Sequence, residues 1–100
     1  MVIRIIEEFW QINRRTGMKT IQETDNKVFI PVPGTLLKME TGRRVFQIET
    51  VTAFQVVLSV VYEHNPSANQ TWTIEKGESV VYRPKSIDGG YRYTICYEED

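Results

Sequence analysis

"MVIRIIEEFWQINRRTG", residues 1–17, decides between two folds. Read with a helical period, Arg4, Glu7, Glu8, Gln11, Arg14 and Arg15 form a polar stripe opposite Ile5, Ile6, Phe9 and Ile12. Gly17 then serves as a C-cap behind two arginines in the last turn. A helix over residues 2–16 makes the domain α+β. Read with a period of two, the β-branched opening starts a strand, no N-cap residue precedes it, and Arg14–Gly17 becomes a hairpin turn.

A second stretch favours the turn. "TGMKTIQ" (16–22) and "TGRRVFQ" (41–47) share Thr-Gly, a basic fourth residue, a β-branched fifth, an apolar sixth and a final Gln. That is the pattern of a hairpin whose glycine takes the left-handed bulge position, used twice. The strand is therefore the preferred reading. The expected fold is mainly β: a small antiparallel β-sandwich or partly closed barrel of about seven to nine strands. The α+β fold with a helix over 2–16 is the alternative.

Outward from the N-terminus, turn signals recur at short spacing: "TDN" (24–26), "PVPGT" (31–35), "ETG" (40–42), "HNPSANQ" (64–70), "KGE" (76–78) and "DGG" (88–90). Residues 36–40 and 43–50 read as a hairpin turning at Thr41-Gly42. "TAFQVVLSVVYEH" (52–64) alternates Phe54, Val56, Leu58, Val60 and Tyr62 against Ala53, Gln55, Val57, Ser59 and Val61. Both faces are largely apolar, so this strand is expected in the middle of a sheet.

Composition agrees. The chain has 100 residues, 41% hydrophobic and 25% charged, with a formal net charge of −1. These are the proportions of one globular domain over 1–100 and not of a disordered chain. Only Ala53 and Ala68 are alanine, too few for a helical bundle. Near-neutral charge gives no electrostatic reason to bind nucleic acid or an anionic membrane, and it favours self-association. Glutamates stand where a signal peptide needs its apolar stretch, so a cytoplasmic setting is expected.

Catalytic groups are sparse. The one histidine, His64, and the one cysteine, Cys96, cannot supply the three or four ligands of a zinc site. Cys96 lies in "YTICYEE", an apolar setting that favours an inert thiol. The serines fit no nucleophile elbow, and no phosphate-binding glycine loop occurs. Glu7 and Glu8 point to opposite faces of a strand and make no carboxylate dyad by themselves. No metal, cofactor or catalytic residue is expected, and the chain is expected not to be an enzyme.

What remains is "YRPKSIDGGYRYTICYEE" (82–99), four tyrosines and two arginines around a glycine pair. Tyr82, Arg83, Lys85, Tyr91, Arg92 and Tyr93 are the candidate interaction patch, since Tyr and Arg dominate binding hot spots. The competing reading is plain sheet construction by cross-strand aromatic pairs, with Tyr91, Tyr93 and Tyr97 on one face. A second candidate is an anion-binding rim of Arg14, Arg15, Arg43 and Arg44, if the two echoing hairpins lie side by side. Two functions follow as expectations. One is a non-enzymatic interaction or inhibitor-type module that binds another protein and self-associates as a homo-oligomer. The other is a small-molecule or nucleotide (anion) binder using the arginine pairs and tyrosines, placed at a subunit interface.

Overall fold

The computed structural model describes residues 1–39, 44–61, 70–84 and 86–100. Eight strands are found there and no helix: β1 (Val2–Ile12), β2 (Lys19–Phe29), β3 (Leu36–Lys38), β4 (Val45–Val51), β5 (Gln55–Val61), β6 (Thr71–Glu75), β7 (Ser79–Tyr82) and β8 (Gly89–Glu98). They form two antiparallel four-stranded sheets, β2-β1-β8-β7 and β3-β4-β5-β6, a small β-sandwich. Within each sheet consecutive strands are hydrogen-bonded neighbours, and β8 returns to pair with β1. The sandwich is thus a meander folded over on itself, with corners at β2/β3 and β6/β7.

The N-terminal segment is a strand, so the helical alternative over 2–16 is incorrect. β1 is central in its sheet, pairing with β2 on one side and β8 on the other. Ile3 and Ile5 are fully buried on its inward face. A helix would have scattered those side chains and left β8 paired with β7 alone. Asn13 caps the turn that follows, accepting hydrogen bonds from the backbone N–H of Arg15 and Thr16, and Gly17 takes φ of 73° as the hairpin pattern requires.

Between the sheets lie Ile3, Ile5, Tyr93, Ile95 and Tyr97 from the first and Leu37, Phe46, Ile48, Val56, Leu58, Val60 and Ile74 from the second. Fully burying each aliphatic side chain contributes roughly 1.5–3 kcal/mol. β5 lies inside its sheet as its two apolar faces imply, but it starts later than the alternation suggested. The Thr52 hydroxyl accepts hydrogen bonds from the N–H groups of Phe54 and Gln55, turning the chain and leaving Phe54 exposed. Tyr97 ties the sheets together by donating its hydroxyl to the Thr52 carbonyl at 2.7 Å.

"TDN" is not a turn. β2 runs through it, absorbing Thr24 as a bulge where Glu7 faces Asp25 and Glu8 faces Glu23. The expected Thr41-Gly42 turn lies outside the described residues, although β3 and β4 do pair as a hairpin. Among the described residues, no helix is long and apolar enough to cross a membrane.

Candidate functional site

β8 alternates strictly, and the alternation divides the Tyr/Arg cluster between two faces. Tyr82 and Tyr93 point inward, with 3% and 0% of their surface exposed. Their rings stack at 6.0 Å, and Phe46 meets each edge-on, at 6.2 Å and 5.4 Å. Tyr91 also faces inward, half-buried at the rim beside Phe9. Arg92 points the other way and pairs with Glu8 at 2.9 Å, and Arg83 is exposed. Lys85 lies outside the described residues. Successive side chains on a strand cannot share a face, so the five described residues do not make one surface. Tyr82 and Tyr93 are core.

The arginine rim does not assemble among the described residues either. Arg14 sits at the tip of the β1–β2 hairpin, bound to Asp88, which holds its guanidinium still more firmly protonated. Arg15 is exposed on the same turn. Arg44 precedes β4 on the other sheet, half-buried and near enough to Tyr93 to act on its hydroxyl. Tyr93 lies opposite Glu7, and from Glu7 to the end of β1 is about 15 Å of extended chain, so Arg44 and the hairpin tip are well apart. Arg43 lies outside the described residues.

The glycine pair has a steric purpose. A Cβ on Gly89 would stand 2.9 Å from the Trp10 carbonyl oxygen, and one on Gly90 would stand 3.1 Å from Cβ of Ser86. Without side chains there, β8 and Ser86 close over Trp10, which is 8% exposed. Gly89→Ala is expected to destabilise the domain by about 1–3 kcal/mol, because a backbone atom must move. Urea unfolding measures it, and an unchanged midpoint would contradict this packing.

Beside Trp10 runs an open groove of about 350 Å³ lined by Ile12, Lys19, Arg83, Pro84 and Ser86. Lys19 lies 5.6 Å over the indole ring. Cys96 is half-buried on the same outward face, where burial pushes its thiol up from its ordinary value and keeps it protonated. Among the described residues no cluster of three or more His, Cys, Asp or Glu is placed to hold a metal ion.

Two features escaped the sequence. The first is a polar cluster inside the sandwich. Glu7 is fully buried, and Thr24 donates its hydroxyl to the carboxylate at 2.8 Å. The Tyr93 hydroxyl lies against Glu7 without a well-aligned hydrogen bond. Asp25 is directly across β1 from Glu7, and Lys27 approaches Asp25 at 3.9 Å and donates to the Lys38 carbonyl at 3.3 Å. The last contact joins β2 to β3 across an open corner. These groups carry the residue types of acid–base chemistry, but Glu7 is sealed from solvent and acts on the fold. The signal available was position: Glu7 continues the inward series Ile3, Ile5.

The second feature is β2 itself. It forms the edge of its sheet for 11 residues, whereas the other edge strands, β3, β6 and β7, have 3, 5 and 4. Short edges are the usual protection against unwanted pairing, and β2 lacks it. Lys19, Thr20, Ile21, Gln22 and Glu23 are all exposed, so both faces of this segment are open.

Comparison of the chain with family models, with curated proteins and with solved structures gives no match.

Proposed function

We propose that the chain is a small non-enzymatic interaction module that binds another protein by adding a strand to the open edge of β2. The observation that carries this reading is the length and two-sided exposure of that edge at residues 19–23. An edge strand presents a row of unpaired N–H and C=O groups, and an extended partner segment satisfies them while its side chains read the two faces. Exposed Ile21 supplies an apolar contact, and Lys19 and Glu23 on either side of it supply register.

Affinity capture with the wild-type chain and with Ile21→Asp as paired baits tests the reading. A partner held through this edge is expected to be retained at least tenfold better by the wild type. Equal retention by the two baits would place the binding surface elsewhere. The substitution is at an exposed position, so circular dichroism should show the same folded bait.

One observation favours a second reading, anion binding in the Trp10 groove. Lys19 and Arg83 flank it, and a guanidinium and an ammonium beside an aromatic ring suit a phosphate or carboxylate group. Calorimetric titration with pyrophosphate and ATP would detect this, and Arg83→Ala would abolish it.

A further inference from the structure

We infer that the strand received by the β2 edge is β2 of a second copy of this chain, paired antiparallel about a twofold axis at Ile21. This deepens the reading above and rests on it. A twofold axis normal to the sheet keeps outward side chains outward, so residues of like parity must face each other. Four centres then keep the exposed segment in contact: Thr20, Ile21, Gln22 and Glu23.

Centring on Thr20 sets Lys19 against Ile21. Centring on Gln22 sets Ile21 against Glu23, and the bulge at Thr24, which turns Asp25 inward, leaves Lys19 without an acidic residue opposite it. Centring on Glu23 sets Glu23 against itself. Only the Ile21 centre pairs every residue with a suitable partner: Lys19 with Glu23 twice, Thr20 with Gln22 twice, and Ile21 with Ile21. Like charges opposed across a strand pair are destabilising and unlike charges favourable. The charges on this edge therefore oppose indiscriminate pairing and admit one register.

The monomer's own surface points the same way. Glu23 stands directly across β1 from Glu8, a like-charge neighbour. Arg92, on the far side of Glu8, is paired with it. Among the described residues Glu23 has no cationic partner, and Lys19 of the second copy supplies one. On the same face Ile21 is cross-strand neighbour to Trp10. The dimer thus forms a continuous row of Trp10, Ile21 and their two symmetry mates, and covers an isoleucine that is 44% exposed in the monomer. Antiparallel pairing about this axis makes the two copies of β2 run in opposite directions from the exposed end that each contributes.

Sedimentation velocity across a concentration series, with charge-reversal variants, tests the register. The wild type is expected to dimerise. Lys19→Glu and Glu23→Lys should each weaken the dimer about tenfold or more, since each turns two attractive pairs into repulsive ones. An equimolar mixture of the two single variants should dimerise again, because every crossed pair is then Glu opposite Lys. The double variant should also recover. That rescue cannot come from the loss of the Lys19–Trp10 contact or from poor folding.

A wild type that stays monomeric to about 1 mM, the weak limit of specific association, overturns the inference. So does a dimer insensitive to both reversals, or one that the mixture fails to restore. Each of these leaves the edge free for a different protein, which the paired-bait capture examines separately. Loss of discrimination in that capture, with dimerisation and rescue intact, would instead confine the edge to self-pairing.

Discussion

Replacing Phe46 with alanine is expected to lower the stability of the domain by about 3–5 kcal/mol, the cost typical of truncating a buried aromatic. Phe46 is fully buried on β4 and, among the described residues, is the one ring that touches Tyr82, Tyr93 and Trp72. It joins the sheets at the point where the first contributes tyrosines instead of aliphatic side chains. Its loss removes edge-to-face contacts with both tyrosines and leaves a cavity between rigid strands that cannot collapse. A domain of this size has roughly 5–15 kcal/mol in total. The melting temperature should fall by roughly 15–30 °C. Phe46→Leu, which keeps most of the volume, should cost much less. Differential scanning calorimetry of both variants decides the matter: a loss below about 1 kcal/mol for alanine would mean the two sheets are not joined through this ring.

The same cluster shows how far alternation in the sequence can be read. In β8 the inward set Tyr91, Tyr93, Ile95 and Tyr97 is where its period of two places it, because a strand paired on both sides leaves each side chain only two directions. In β1 the two periods compete, and a distant event resolves them: β8 arrives from the far end of the chain to pair with it. The candidate interaction patch is divided between two faces for a related reason. It gathered residues by closeness in sequence and by chemical type, while the pleat sends Arg92 away from Tyr91 and Tyr93.

Glu7 and β2 were hidden by a different mechanism. The hydroxyl that satisfies Glu7 belongs to Thr24, brought into place by a bulge that no propensity announces. The same bulge lets β2 run through Thr24-Asp25-Asn26, which reads as a turn because Asp and Asn usually break strands. With β2 cut there, its length was lost, and with its length the open edge. Lys19–Glu23 carries no apolar alternation because neither face is buried, so the segment best suited to pairing was the one least like a strand in sequence.

Alkaline pH should destabilise this domain in a way that depends on Tyr93. Burial between the sheets raises the Tyr93 hydroxyl well above its ordinary value, and the neighbouring Glu7 carboxylate adds to the effect, against a smaller opposing influence from Arg44. The neutral phenol is thus favoured in the folded chain. In the unfolded chain Tyr93 ionises near its ordinary value of 10.0. Below that pH both states hold the proton and stability is unaffected. Above it the unfolded state releases the proton while the folded state keeps it, so the folded form is progressively disfavoured. One proton's difference corresponds to at most about 1.4 kcal/mol per pH unit. By pH 12 the loss approaches about 2–3 kcal/mol. Tyr93→Phe removes the titrating group and keeps the ring against Phe46 and Tyr82. At pH 7 that variant should lie within about 1 kcal/mol of the wild type, since the hydroxyl makes no well-aligned hydrogen bond. Urea unfolding from pH 8 to 12 should show the wild type losing stability more steeply than Tyr93→Phe above pH 10. Parallel curves would mean that the hydroxyl ionises freely in the folded state, and that the interior beside Glu7 is open to water.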